Sequence, residues 1–140
     1  MDIRRGIFED VLDVTGSQAA QGEVLGGAHV RARALLLVQG EFRGDATVDA
    51  GAELIVQGKW HGQIVANLGK VMLQGELELD LSKLPGRIIV GADSELHLPD
   101  GDFDLQRDGT LTPAARESLT FDNQSTFCVW NQDRGVFEPA

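Results

Sequence analysis

The chain predicts an all-β fold, a single-stranded β-solenoid of triangular section with about 18 residues per coil. Three observations predict it. The dipeptide Gln-Gly recurs at Gln21-Gly22, Gln39-Gly40, Gln57-Gly58 and Gln74-Gly75, at spacings of 18, 18 and 17. The flanks repeat with it: LLLVQGEFRG, ELIVQGKWHG and KVMLQGELEL run in parallel, preceded by the weaker QGEVLG. Within each copy the apolar residues alternate as in a strand, for example Leu36, Val38 and Phe42. A short fixed period built of strands is the signature of stacked coils, each a single turn of the chain.

The first segment, residues 1–18, is expected to be a cap. Ile3, Ile7, Phe8, Val11 and Leu12 fall at helical spacing, which suggests an amphipathic helix or irregular segment over the first coil. Arg4 and Arg5 would suit a membrane surface, but Asp2, Glu9, Asp10 and Asp13 oppose anionic lipid.

The solenoid is expected over residues 19–110. Coil stacking at about 4.8 Å requires columns of like residues, and the sequence contains them. Val24, Phe42, Trp60 and Leu77 form one column; Leu36, Leu54 and Val71 a second; Val38, Val56 and Leu73 a third. Apolar residues also recur every six positions, at Val24, Val30, Leu36, Phe42, Val48, Leu54 and Trp60. The residue two before each is small: Gly22, Ala28, Ala34, Gly40, Ala46, Ala52 and Gly58. Three such units per coil imply three sides, and a narrow prism admits a large side chain only beside a small one. A diverged fifth copy is read at Ile89 to Gly101, aligned on Thr47 to Gly58. That alignment leaves Leu81 to Arg87 as an insertion expected to bulge outward.

Residues 111–140 form an apolar tail expected to pack along a face or over the last coil. Thr112 before Pro113 resembles a helix start, with a short helix through Leu119. Phe121, Phe127 and Trp130 follow. Together with Ile7 and Phe8 they are the candidate capping or self-association residues. Residues 131–135 are turn material before a final extended segment.

Composition narrows the function. Twelve Lys and Arg against 22 Asp and Glu give a formal charge of -10, which disfavours nucleic acid as a partner. The lone Cys128 excludes an intrachain disulfide framework and a cysteine-cluster metal site, and reads as a small buried hydrophobe. No apolar run approaches a membrane span, and the acidic start does not read as a secretory signal, so a cytoplasmic protein is expected. His29, His61 and His97 fall in different columns and do not stack into a metal site. Asp100, Asp102 and Asp104 alternate, but Leu105 and Leu111 stand where a calcium loop needs Gly and an acid. They read instead as an outward row, with Phe103 and Leu105 inward. No Ser/His/Asp or Cys/His spacing argues for nucleophilic catalysis. No catalytic, cofactor-binding or metal residue is therefore assigned. Charge is balanced over residues 21–75 and strongly acidic over 76–108, which could steer head-to-tail or lateral contacts or simply aid solubility.

The units VQGEFRG (Val38 to Gly44) and VQGKWHG (Val56 to Gly62), with DATVDAGAEL and QIVANLGKVML between and after them, resemble the bactofilin family over roughly residues 20 to 105. The resemblance implies a right-handed solenoid, end-to-end self-association without nucleotide, and a cytoskeletal or scaffolding role. It also implies other envelope or cytoskeletal proteins as partners, at the inner face of the membrane, and no catalytic residues. The apolar tail departs from that family, whose cores are flanked by polar tails, and would block stacking if it covered the final coil. Two alternatives stand beside this reading. One is a monomeric solenoid, capped at both ends, used as a binding or adaptor module. The other is a left-handed hexapeptide acyltransferase, which shares the 18-residue coil and would place its catalytic histidine at His61. Its hexads usually carry a small or acidic residue after the apolar one, where this chain has Leu25, Arg31, Leu37, Arg43, Asp49, Ile55 and His61.

Overall fold

The computed structural model describes residues 2–114 and 126–140. Phe121, and the part of the expected helix after Ala114, lie outside them. The described chain is a triangular β-solenoid of about five turns. Its strands are β1 (Asp2–Phe8), β2 (Leu12–Val14), β3 (Ser17–Val24), β4 (Ala28–Val30), β5 (Leu35–Val48), β6 (Glu53–Asn67) and β7 (Lys70–Glu78). A 3-10 turn at Leu81–Lys83 leads to β8 (Arg87–Gly91), β9 (Glu95–Leu98), β10 (Gly101–Leu105), β11 (Leu111–Pro113), β12 (Phe127–Asn131) and β13 (Val136–Pro139). One wall runs β1-β3-β5-β6-β7-β8-β12-β13.

Parallel pairing sets the columns. Val24 lies beside Phe42, Phe42 beside Trp60, Trp60 beside Leu77, and Leu77 beside Leu96. Leu36, Leu54 and Val71 are in register, as are Val38, Val56 and Leu73. All of these, with Val30 and Val48, are at most 1% exposed. The small partners Ala28, Ala34, Ala46 and Ala52 are buried beside them. The core is thus one continuous apolar rod, closed by long-range ladders between successive turns.

The N-terminal segment is a strand, not a helical cap. β1 pairs with β3 in parallel, Gly6 beside Gly22 and Phe8 beside Val24. It is the first coil itself. The exposed ladder of β3 outweighs the helical spacing of a few apolar residues, because β1 can repeat the Gly-x-apolar step found at Gly22, Gly40, Gly58 and Gly75.

Three further expectations are corrected. Residues 81–87 are no insertion: Lys70 pairs with Arg87 at a spacing of 17, so the segment forms the remaining side of a regular coil. Its 3-10 turn is capped by the Asp80 carboxylate, which accepts from Ser82 N at 3.1 Å, and Leu84 is buried against the core. The fifth copy is out of phase with its expected alignment. Val90 continues the Val56–Leu73 column and Leu96 the Trp60–Leu77 column, so the extra residues sit in the turn between β8 and β9. There the buried Ser94 Oγ accepts from Gly75 N at 3.1 Å, replacing the ladder bond that the turn displaces. Finally, Thr112 and Pro113 belong to β11, antiparallel to β10, because Thr112 pairs with Asp104 and Pro113 with Phe103. A hairpin already aligned by β10 overrides the local helix-start signal.

Asn67 is a polar residue in the otherwise apolar Val30–Val48 column, 7% exposed. Its Nδ2 donates to Pro85 O (3.2 Å) and Arg87 O (3.1 Å), and its Oδ1 accepts from Gly69 N (3.1 Å). Fully bonded, it carries the chain around a shortened corner just after the bulge at Val65.

Candidate functional site

The two ends of the solenoid differ, and the difference follows from their residues. At the first coil, Arg4 stands at the head of the column that continues as Ala20, Val38 and Val56. Asp2 heads the column of Gln18, Leu36 and Leu54 in the same way. The Arg4 Nε donates to Asp2 Oδ2 at 3.3 Å, and both side chains are largely exposed. A charged pair therefore heads columns that become apolar further in, at Ala20, Val38 and Val56 and, after Gln18, at Leu36 and Leu54. Outward, Ile3, Ile7 and Val11 are exposed, at 58%, 63% and 64%. Among the described residues no strand pairs with the outer edge of β1.

The other end is covered. β12 reverses direction against β8, pairing Val129 with Ile89 and Cys128 with Val90, and β13 folds back on β12. Cys128 is fully buried, and its thiol is raised above its ordinary pKa by burial, which makes it a poor nucleophile. Phe137 is buried against Trp130, ring centroids 4.9 Å apart. Among the described residues the outermost strands here, β11 and β13, span three and four residues and each ends in a proline. Short edges carrying proline are poor templates for further pairing. Of the capping candidates, Phe8 and Trp130 pack against the core, Phe127 is half-buried beside Gly91, and Ile7 is free on the surface.

The outer walls carry ion pairs that link coils, a signal invisible when each histidine is read by itself. His29 Nε2 lies 2.9 Å from Asp49 Oδ1, and Arg31 Nε donates to Asp13 at 2.7 Å. His61 sits between Glu78 (3.0 Å) and Glu41 (3.6 Å). His97 Nδ1 lies 2.8 Å from Asp102 Oδ1, with Glu95 at 4.0 Å from Nε2. His61 and His97 share one column with Glu78 between them, contrary to the expectation of separate columns, and each histidine has found carboxylates on a neighbouring strand or turn. A polar ladder runs beside them: Arg5 donates to Gln21 at 2.8 Å, and Gln21 to Gln39 at 3.0 Å.

His97 has a measurable consequence. The hydrogen bond to Asp102, and then the charges of Asp102, Glu95 and Glu76, raise its pKa above the ordinary 6.5. A raised folded-state value means that the contribution to stability is complete below the unfolded pKa and is lost as pH rises through the folded one. Urea unfolding at a series of pH values should show stability falling through that window, and His97→Gln should flatten the fall. An unchanged profile in the variant would remove His97 as its source.

Comparison with family models, with curated proteins and with solved structures finds no match. The fold and the geometry of its ends therefore carry the functional reading. Among the described residues no helix is long and apolar enough to cross a membrane.

Proposed function

We propose that the chain is a structural or scaffolding protein, a role with which the β-solenoid is compatible. It is related in kind to the bactofilins, and it associates with a second copy of itself through one end of its solenoid. The observation that carries this reading is the contrast between the ends. β1 is a seven-residue edge strand without proline, flanked by exposed Ile3 and Ile7, while β11 and β13 are short and proline-bearing. One sticky end and one blunt end favour a closed two-fold pair over an open filament. This narrows the end-to-end stacking implied by the bactofilin resemblance.

Gly6 supplies the test. A Cβ on each later glycine of its column would strike the backbone of the coil before it, but a Cβ on Gly6 meets nothing within 4 Å. By analogy with its column mates, that Cβ is directed over the free edge. Gly6→Ala and Ile7→Lys should therefore leave the coil folded and reduce association at least about tenfold, the loss of roughly 1.4 kcal/mol at the contact. Light scattering after size exclusion should give a dimer for the parent chain and monomers for both variants. A parent chain that stays monomeric at high concentration would overturn the proposal. The charged Asp2–Arg4 pair at the head of the core favours, in that event, the second reading: a capped monomeric adaptor.

A further inference from the structure

The β9–β10 hairpin assembles a donor set that neither the fold nor the assembly proposal requires. Its ladder places His97 directly across from Asp102 and Glu95 directly across from Asp104. Glu95 and His97 are two residues apart and so share the outward face of β9. One donor atom each from Glu95, His97 and Asp102 can be chosen so that all lie within 4.8 Å of one another. Nothing but hairpin register is needed to bring the three together.

A second observation lies on the adjacent strand. Glu76 of β7 pairs with Glu95, and Glu95 pairs with Asp104, so three carboxylates stand in register across three strands. Like charges directly opposite one another destabilise a sheet. In the same column Lys59 separates Glu41 from Glu76, whereas Glu23 stands beside Glu41. Glu95 has an acid on either side, and the imidazole of His97 lies two residues along the same strand.

We propose that Glu95, His97 and Asp102 form a binding site for a divalent transition-metal ion of the Zn2+ class, which ties β10 to β9. The donor chemistry selects the class. One imidazole with two carboxylates suits zinc and its neighbours, whereas calcium and magnesium prefer oxygen alone. The spacing also suits it. Donors at about 2.1 Å from a tetrahedral ion stand roughly 3.4 Å apart; Asp102 Oδ1 lies 2.8 Å from His97 Nδ1, and one donor atom from each of the three residues lies within 4.8 Å of the others. Small side-chain rotations are enough, and the exposed side of the site leaves positions for water. The ion would replace the imidazole proton and offset the charge of Glu76 and Asp104. Binding should accordingly strengthen as pH rises, with Glu76, Glu78, Glu95, Asp102 and Asp104 the acidic groups facing the imidazole from β7, β9 and β10.

The experiment is calorimetric titration of the full chain with Zn2+, and with Co2+ for its visible spectrum. The expected result is one ion per chain with a Kd below about 100 µM. His97→Ala and Asp102→Asn should each weaken binding at least about tenfold, while His61→Ala leaves it unchanged, with circular dichroism confirming that all three variants fold. The Co2+ bands should disappear in His97→Ala. Absence of binding at that level would overturn the proposal. So would Zn2+ binding that His97→Ala leaves intact, an equal loss in His61→Ala, or Ca2+ binding as tightly as Zn2+.

Discussion

Gly58→Ala should cost the fold about 2–6 kcal/mol, a large share of the roughly 5–15 kcal/mol that holds a domain of this size together. Gly22, Gly40, Gly58 and Gly75 form a column in the wall, with φ of 137°, 144°, 138° and 125°. A Cβ on Gly58 would lie 2.1 Å from the carbonyl oxygen of Gly40, and the same clash recurs at Gly22, Gly40 and Gly75. The obstacle is backbone held in a ladder, so it cannot swing aside. Two costs combine: the strain of a side chain at positive φ, about 1–3 kcal/mol, and the separation of two coils whose hydrogen bonds depend on their spacing. Gly6 separates them. It has the same backbone conformation, φ 132°, but no coil in front of it. Gly6→Ala should show the strain alone. Urea unfolding of both variants, each in an Ile7→Lys background so that association does not enter, measures the difference. Equal losses would mean that the approach of coil to coil is not what the glycine column serves.

That column also shows what is legible in the sequence. A side chain stacked on its own equivalent every turn leaves a mark in one dimension, so the Gln-Gly period reveals the coils and the columns of Phe42, Trp60 and Leu77. Gly6-x-Phe8 repeats the same step as Gly22-x-Val24, and only its different flanks, Arg4 and Arg5, hide it. Those flanks differ because a terminal coil has no neighbour on one side and can place charge where the interior needs Val or Leu. Where the solenoid ends, the period ends as well. β10 to β13 join by antiparallel pairing, which sets each strand against a neighbour at no fixed distance along the chain. Nothing in a periodic reading could align Val90 with Leu73 and Leu96 with Leu77 at once, because their spacings are 17 and 19. The Glu95–His97–Asp102 cluster is hidden for the same reason. It is a product of one hairpin's register, not of the repeat.

Trp60→Ala should be the most damaging change in the apolar rod, costing about 3–5 kcal/mol. Trp60 is 1% exposed and lies between two coils that both depend on its volume. On one side the Phe42 ring stacks on it, centroids 4.7 Å apart and planes within 7°. On the other side Leu77 continues the column. The space for the rings is made by glycine: a Cβ at Gly62 would come within 2.8 Å of Phe42 Cδ1. Removing the indole leaves a void between rigid ladders, which cannot collapse without shortening the spacing of the coils. An ordinary domain can repack around a cavity from several directions, but here the walls are fixed by hydrogen bonds along the axis. Phe42 cannot be followed into the void from behind either, since the next member of the column, Val24, is already fully buried beside it. Trp60→Phe should cost much less, because a second stacked ring preserves most of the contact. A double-mutant cycle of Phe42→Leu with Trp60→Leu should give a coupling of about 0.5–1.5 kcal/mol, the part of the loss that belongs to the stacked pair and not to burial alone. A coupling indistinguishable from zero would mean that the two coils contribute independently, and that register in this solenoid is set by the backbone ladders without help from the rings.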